Sequence, residues 1–179
     1  NSQFSNKKVI INNSNVFFKD NLKKIVSVVK VEKATLFFDE KKLLNLFNLK
    51  GKAFNTHFTF SLKRHNDLIN NEEINFRVRP LKLNFLNKSI EEKNNLFHGK
   101  NITSILNSKI NTKYNIKEKS IVFVSDKSKI GNSKTSYNGE LSLNPFNLNL
   151  NIDIEDYKIF NLLNENSVFV ELIKSDLFF

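Results

Sequence analysis

The stretch YNGELSLNPFNLNLNID, which runs from Tyr137 to Asp153, decides the fold. Before Pro145 the leucines alternate with polar residues, and this two-residue period is typical of a β-strand. After Pro145 the alternation resumes on the opposite parity. Because a parity change needs an extra residue, the sequence predicts one long strand with a β-bulge or bend at Asn144-Pro145. One face of this strand is apolar, and the other consists of Asn, Ser and Asp.

A second stretch, INFRVRPLKLNF from Ile74 to Phe85, has the same pattern around Pro80. Its apolar residues occupy one parity before the proline and the other parity after it. The chain contains only two prolines, and aligning them superposes the apolar positions on both sides. The match predicts a fold that repeats one bent strand unit.

Alternation also marks most of the remaining chain. It is clear in His57–Lys63 and Leu106–Lys117, and Leu43–Phe54 is interpreted as a strand rather than a helical turn. The polar stretches Asn87–Asn95 and Asp126–Lys134 are predicted to form a hairpin tip or short helix and a turn, respectively. Short N-terminal strands are predicted at Lys8–Ile11, Val16–Phe18, Ser27–Val31 and Ala34–Phe38.

The C-terminal end changes period. After Asp156 the apolar residues fall at helical spacing, with a break at 164–167. Two short helices, or one kinked helix, are predicted to close the end of the sheet. The acidic residues Asp153, Glu155 and Asp156 suit a helix N-terminus, and a cation site is their alternative interpretation.

Length and composition restrict the class of protein. The 179 residues suffice for one domain with a sizeable core. Because the chain begins with Asn1 rather than Met and stops in an apolar run, residues 1–179 are interpreted as a single β segment excised from a longer protein. No run of about 18 apolar residues is present, so any anchor is expected outside this segment. Without cysteine there is no disulfide framework and no thiolate metal site.

The net charge of +10 first suggests a nucleic-acid-binding protein. The positive charges are almost all lysines, however, and they are spread along the chain. Asn, Lys, Ile and Phe are all abundant and all have A/T-rich codons, so the composition is interpreted first as the record of a low-GC genome. The alternative is a positive field that attracts anionic surfaces. With no Arg-rich stripe and no aromatic RNA motif, nucleic acid is not expected as a partner.

No catalytic constellation is visible in the sequence. His57, His65 and His98 are scattered and have none of the spacings of metal ligands. A Gly-rich phosphate loop and a nucleophile elbow are both missing. We therefore expect a protein that is not an enzyme and that has no cofactor and no catalytic or metal site.

Two architectures fit this much alternating strand. In a β-sandwich, two sheets bury their apolar faces against each other. In an open trough, a single antiparallel sheet curls so that its apolar inner face holds acyl chains. Periodicity does not separate the two.

A resemblance favours the trough. The segment from Gly139 to Phe179, which begins GELSLNPFNL, is similar to the C-terminal region of the AsmA-like family of bacterial envelope proteins. In that family a strand of the form G-x-L-x-L-x-P-F-x-L precedes a short Leu-rich helical stretch. VEKATLFFDE (Val31–Glu40) and LFNLKGKAF (Leu46–Phe54) also resemble strand phrases of the family.

The resemblance implies a mainly β fold, with a long antiparallel sheet curled into an open groove and short helices near the C-terminus. It implies a periplasmic protein, attached to the inner membrane, that handles phospholipid between the two membranes or supports outer-membrane assembly. Phospholipid acyl chains are then the expected ligand, and envelope proteins are a further class of partner. The groove would remove the cost of exposing acyl chains to water, about 0.8 kcal/mol for each CH₂.

The residues expected to line the groove are the apolar positions of the clearest strands. They are Phe58, Phe60, Leu62, Ile74, Phe76, Val78, Leu81, Leu83, Phe85, Leu141, Leu143, Phe146, Leu148, Leu150 and Ile152. An alternative function is a structural scaffold that binds envelope proteins through exposed strand edges.

Overall fold

The computed structural model describes residues 8–39, 44–66, 70–92 and 96–156. These residues form eleven β-strands. The strands are β1 (Lys8–Lys19), β2 (Ile25–Asp39), β3 (Leu44–Ala53), β4 (Thr56–Asn66), β5 (Asn70–Val78), β6 (Leu83–Glu92), β7 (Leu96–Ile105), β8 (Ser108–Lys117), β9 (Ser120–Ile130), β10 (Ser133–Leu143) and β11 (Phe146–Ile154).

All eleven strands belong to one antiparallel sheet in which each strand pairs with its neighbours in sequence. The strand order runs from β1 to β11, and these two strands are the edges, so the sheet is not closed. Successive strands with short connections favour this arrangement, because an antiparallel pair needs only a tight turn between its strands. The expectation of a mainly β, antiparallel fold is confirmed.

Pro145 lies in a hairpin turn and not within a long strand. The turn consists of Asn144 and Pro145, whose peptide bond is cis, and it joins β10 to β11. Leu143 pairs with Phe146 across it. Opposed residues of an antiparallel pair share a face, so a two-residue turn moves the apolar positions from odd to even numbers. The predicted bulge or bend in one continuous strand is wrong, although the parity change itself marks the right place.

Pro80 also lies in a hairpin turn. The turn spans Arg79 to Lys82, where the Lys82 N–H donates to the Arg79 carbonyl oxygen at 2.9 Å, and Val78 pairs with Leu83 beyond it. The predicted single strand around Pro80 is therefore wrong for the same reason. What recurs at the two prolines is a hairpin, with turns of different length.

The other differences from the sequence prediction all lengthen strands. The four predicted N-terminal strands correspond to two strands in the structure. β1 continues through Asn13, which has a φ of 51°, and β2 continues through a bulge at Glu32. The polar stretch Asn87–Asn95 is largely the end of β6, and Asp126–Lys134 is mostly strand on both sides of a turn at Gly131. Alternating polar residues can occupy the solvent-facing side of a strand, which a turn prediction overlooks. Leu43–Phe54 is a strand from Leu44 to Ala53, as predicted.

No helix is present among the described residues, and so none there is long and apolar enough to cross a membrane. The predicted helices after Asp156 lie outside the described residues.

The described residues form one layer, with no second sheet and no helix packed on it. Few of their apolar side chains are buried, namely Val31, Ala34 and Val78. A sandwich of two sheets would bury the whole inner face of each. The described part of the chain therefore leaves both sheet faces without a covering layer of its own.

Candidate apolar binding face

Strand register places most apolar side chains on one face of the sheet. Phe60 on β4 is opposite Leu49 on β3 and Phe76 on β5, and Phe76 is opposite Phe85 on β6. Directly opposed residues share a face. Following these pairs from β1 to β11 defines one surface, called here the apolar face.

The predicted lipid-binding residues lie on the apolar face with one exception. Leu81 is in the turn between β5 and β6 and occupies no strand position. All the other predicted residues are connected to the Phe60 position through the pairing registers. The structure therefore brings two stretches of sequence, near Phe60 and near Leu148, onto one surface.

Sequence reasoning missed further residues of the same face. They lie on β1, β2, β3, β7, β8 and β9, where no lining residue was predicted. Local alternation with polar residues, clearest at Ile110, Tyr114 and Ile116 of β8, is the signal that could have found them. They are Val9, Ile11, Val16, Phe18, Val29, Leu36, Phe47, Leu49, Phe97, Ile110, Tyr114, Ile116, Ile121 and Phe123.

Two parts of the apolar face differ in packing. The central patch consists of the apolar-face residues Phe47, Leu49, Phe58, Phe60, Leu62, Ile74, Phe76, Val78, Leu83 and Phe85 of β3 to β6. The terminal patch consists of Leu141, Leu143, Phe146, Leu148, Leu150 and Ile152 of β10 and β11. The central side chains are half-buried or buried, whereas Phe146 is 74% exposed and Ile152 is 55% exposed.

Three glycines of the apolar face lie under aromatic rings. Gly51, Gly99 and Gly139 are directly opposite Phe58, Tyr114 and Phe123, respectively. A Cβ atom at any of the three would collide with the opposing ring or come into tight contact with it. The missing Cβ at each glycine therefore leaves room for the opposing ring close to the backbone of the neighbouring strand.

A polar pocket interrupts the apolar face across β4 to β8, beside the central patch. It has a volume of about 390 Å³, and its polar side chains include Arg64, Glu72, Asn87, Glu91 and Tyr114. Arg64 forms an ion pair with Glu72, and the Tyr114 hydroxyl donates to Asn87 Oδ1 at 2.9 Å. Glu91 accepts a hydrogen bond from Asn70 Nδ2 at 3.0 Å. The pocket therefore places polar groups on the apolar face while giving each of these side chains a partner.

The opposite surface, called here the polar face, carries most of the lysines. In register, Lys100 on β7 is directly opposite Lys88 on β6 and Lys113 on β8. Lys33 on β2 is likewise opposite Lys50 on β3. Like charges directly opposite each other destabilise a sheet, so these rows are an electrostatic cost that the fold carries.

Glu32 is the acidic centre of the polar face on β2. Its carboxylate contacts Lys50 Nζ at 3.0 Å and His57 Nδ1 at 2.8 Å. The hydrogen bond from Lys50, with further contributions from the charges of Lys50 and His57, lowers the pKa of the Glu32 carboxyl below its usual value. The bulge at Glu32 directs this side chain to the same face as Lys50.

Within the described ranges, no group of three or more His, Asp or Glu residues is arranged to hold a metal ion. No family model matches the sequence, and neither a curated protein nor a solved structure shows significant similarity to it. The candidate site is thus characterised by its own geometry, an apolar face that crosses the sheet and that no layer of the described residues covers.

Proposed function

We propose that this chain is a lipid-handling segment of a bacterial envelope protein. In this proposal the sheet curls into an open groove with the apolar face inside, and phospholipid acyl chains lie along that face. The observation that carries the proposal is an apolar face shared by eleven strands, on which three apolar residues of the described part of the chain are buried. Contiguous exposed apolar surface of this kind is typical of a lipid or protein interaction site.

The resemblance to AsmA-like proteins supports the cellular setting of the proposal. In this proposal the parent protein lies in the periplasm, attached to the inner membrane through an anchor outside this segment, and it handles phospholipid between the membranes or supports outer-membrane assembly. The short helices expected after Asp156 would close one end of the groove. The function requires no catalytic residue, cofactor or metal ion, because burial of acyl CH₂ groups alone, about 0.8 kcal/mol each, drives binding.

The terminal patch is the best place to test the proposal. Leu148 and Asn149 are neighbours on β11 that point to opposite faces. A photo-crosslinking amino acid at position 148 is expected to capture lipid from vesicles of phosphatidylethanolamine and phosphatidylglycerol, and the same probe at position 149 is not. Equal capture at both positions would show that lipid does not select the apolar face.

A charge provides the second arm of this experiment. Phe146→Asp places a carboxylate in the terminal patch, and burying it beside an acyl chain would cost several kcal/mol. Capture at position 148 should therefore drop strongly, while Asn147→Asp, one residue away on the polar face, should leave it unchanged. Far-UV circular dichroism of both variants controls for folding.

A scaffold function is the second candidate, and the edge strand β11 favours it. This strand is nine residues long, has no partner on its outer side among the described residues and contains neither Lys nor Pro. Edges of this kind are open to pairing with a strand of another protein. The Glu155 N–H donates to the Lys134 carbonyl at 3.0 Å, so by alternation the Leu150 N–H points outward.

Leu150→Pro separates the two functions. Proline removes the outward N–H and is tolerated at an edge, so strand addition should be lost while the fold is kept. Lipid capture at position 148 should persist if the apolar face acts as a groove, reduced only by the loss of the Leu150 side chain from the terminal patch. The scaffold function would be supported if Leu150→Pro abolishes binding to an envelope protein and if neither the variant nor the wild-type chain captures lipid.

A further inference from the structure

A second depression lies on the polar face, between β2 and β5. It has a volume of about 460 Å³, a size within the range of small-molecule sites. Its lining residues are Lys33, Thr35, Asn48, Leu49, Lys50, Thr59, Phe60, Ser61, Asn75 and Arg77. Nothing in the proposed lipid function uses this surface, because its polar side chains lie on the reverse of the central patch.

Register arranges the polar side chains of this depression in two rows. One row is Lys33, Lys50, Thr59 and Arg77, each directly opposite the next. The other row is Thr35, Asn48, Ser61 and Asn75 in the same manner. The rows cross four strands and so extend over about 14 Å. A row of cations therefore runs beside a row of hydroxyl and amide groups.

The cationic row has an excess of positive charge. Lys50 is paired with Glu32, and Arg77 Nε donates to the neutral Asn84 Oδ1 at 3.0 Å. Lys33 has no acidic partner among the described residues, although it is directly opposite Lys50. An anion held between these side chains would offset their mutual repulsion.

The polar row contains a group with an unmet hydrogen bond. Asn75 Oδ1 is buried and has no partner within the described part of the chain. Buried amide oxygens are almost always hydrogen-bonded, so an oxygen without a partner favours rotation of the amide towards the depression that Asn75 lines. A hydroxyl donor, reached by rotation of the Asn75 amide, meets this need.

From these observations we propose that the depression binds a phosphorylated sugar. The phosphate lies on the row of Lys33, Lys50 and Arg77, where the guanidinium group offers a planar fork of donors. The sugar hydroxyls lie on the row of Thr35, Asn48, Ser61 and Asn75, and one of them donates to the Asn75 amide oxygen. This site is independent of the lipid function, since it lies on the other face of the sheet.

The test is an NMR titration of the ¹⁵N-labelled chain with glucose 6-phosphate, glucose and inorganic phosphate. Glucose 6-phosphate is expected to shift amides of β2 to β5 and to bind more tightly than either part alone. Arg77→Gln and Lys33→Gln should each weaken it about three- to tenfold, the loss of one charge-assisted contact in an open site. Asn75→Ala should reduce the preference for the sugar phosphate over inorganic phosphate.

Lys113→Gln is the matched control, because Lys113 also has a lysine opposite it on the polar face but lies on β8, outside the depression. Binding should be unchanged in this variant. If Lys113→Gln weakens binding as much as Lys33→Gln, the chain attracts anions through its overall charge and the site does not exist. Equal affinity for inorganic phosphate and glucose 6-phosphate would overturn the sugar part of the proposal, since the depression would then hold an adventitious ion only.

Discussion

The central patch and the terminal patch have the same alternating sequence but bury their side chains to different extents. In the central patch, aromatic rings from neighbouring strands contact each other, with centroids 6.0 Å apart for Phe47 and Phe60 and 5.7 Å apart for Phe58 and Phe76. On β11, at the edge of the sheet, Leu148 and Leu150 remain exposed. The difference follows both from position in the sheet and from side-chain size, because five of the ten central-patch residues are phenylalanine and only one of the six terminal-patch residues is.

In a single-layer sheet, lateral neighbours are the main source of burial. A central strand has one neighbour on each side, and large rings there cover one another across the strands. An edge strand has a neighbour on one side only. The central patch therefore contributes to folding, whereas the terminal patch offers apolar surface that a ligand or partner can still cover.

Truncation of a central ring is expected to have the largest effect. Phe60→Ala removes the ring that packs against Phe47 and should lower the free energy of unfolding by about 3 kcal/mol, the low end for a large aromatic side chain. Leu148→Ala in the terminal patch should cost under about 1 kcal/mol, because the residue is about half exposed. Urea denaturation of the two variants measures both losses in the free energy of unfolding. Equal losses would contradict the division into a structural patch and an available one.

Much of the apolar face could be predicted from sequence because the side-chain period of a strand is local. Alternation alone identified Phe58, Phe60 and Leu62 as one face, and the registers confirm it. The same reasoning failed at Pro145, since a bulge and a turn of two residues both reverse the parity. Only the pairing of Leu143 with Phe146 distinguishes them, and pairing is not encoded in the period.

The sites that depend on two or more strands were beyond the sequence. The ion pair of Arg64 and Glu72 and the row from Thr35 to Asn75 form only when registers are set. In the sequence alone, each of these residues has the pattern of an ordinary polar position on a strand. A one-residue change of register would place each on the other face, so no local pattern predicts the cluster.

Gly99→Ala tests how the region between the patches is held together. The added Cβ would collide with the Tyr114 ring and displace it from Asn87, so the free energy of unfolding should fall by about 2 kcal/mol, as for overpacking of a core. In a Tyr114→Ala background the same glycine substitution should cost much less, because the ring is gone. A double-mutant cycle by urea denaturation gives the coupling. Additive losses would show that the ring does not depend on the glycine.

Lys100→Thr tests the polar face of the sheet, behind the region that lies between the two patches. It removes the middle lysine of the row Lys88, Lys100 and Lys113, and threonine also suits a strand, so stability should rise by about 0.5 kcal/mol at low salt. The gain should shrink as salt screens the repulsion. Lys88→Thr is the control and should give a smaller gain in stability, because Lys88 is paired with Glu73 at 3.1 Å. A gain that is independent of salt would contradict the electrostatic cause.

The smallest effect concerns Glu32, on the polar face behind the central patch. Its pKa is lowered, chiefly by the Lys50 hydrogen bond, so the folded state binds this proton less readily than the unfolded state. The contribution of Glu32 to stability is therefore present above the usual carboxyl pKa and is lost as pH falls through the lowered folded value. Lys50→Gln should raise the Glu32 pKa, measured by NMR of the side-chain carboxyl carbon, and should remove part of this acid-dependent loss. Lys63→Gln, a substitution of an exposed lysine on β4 of the same face, should leave the Glu32 titration unchanged. An unchanged Glu32 pKa in Lys50→Gln would mean that His57, at 2.8 Å, holds the carboxylate without help from Lys50.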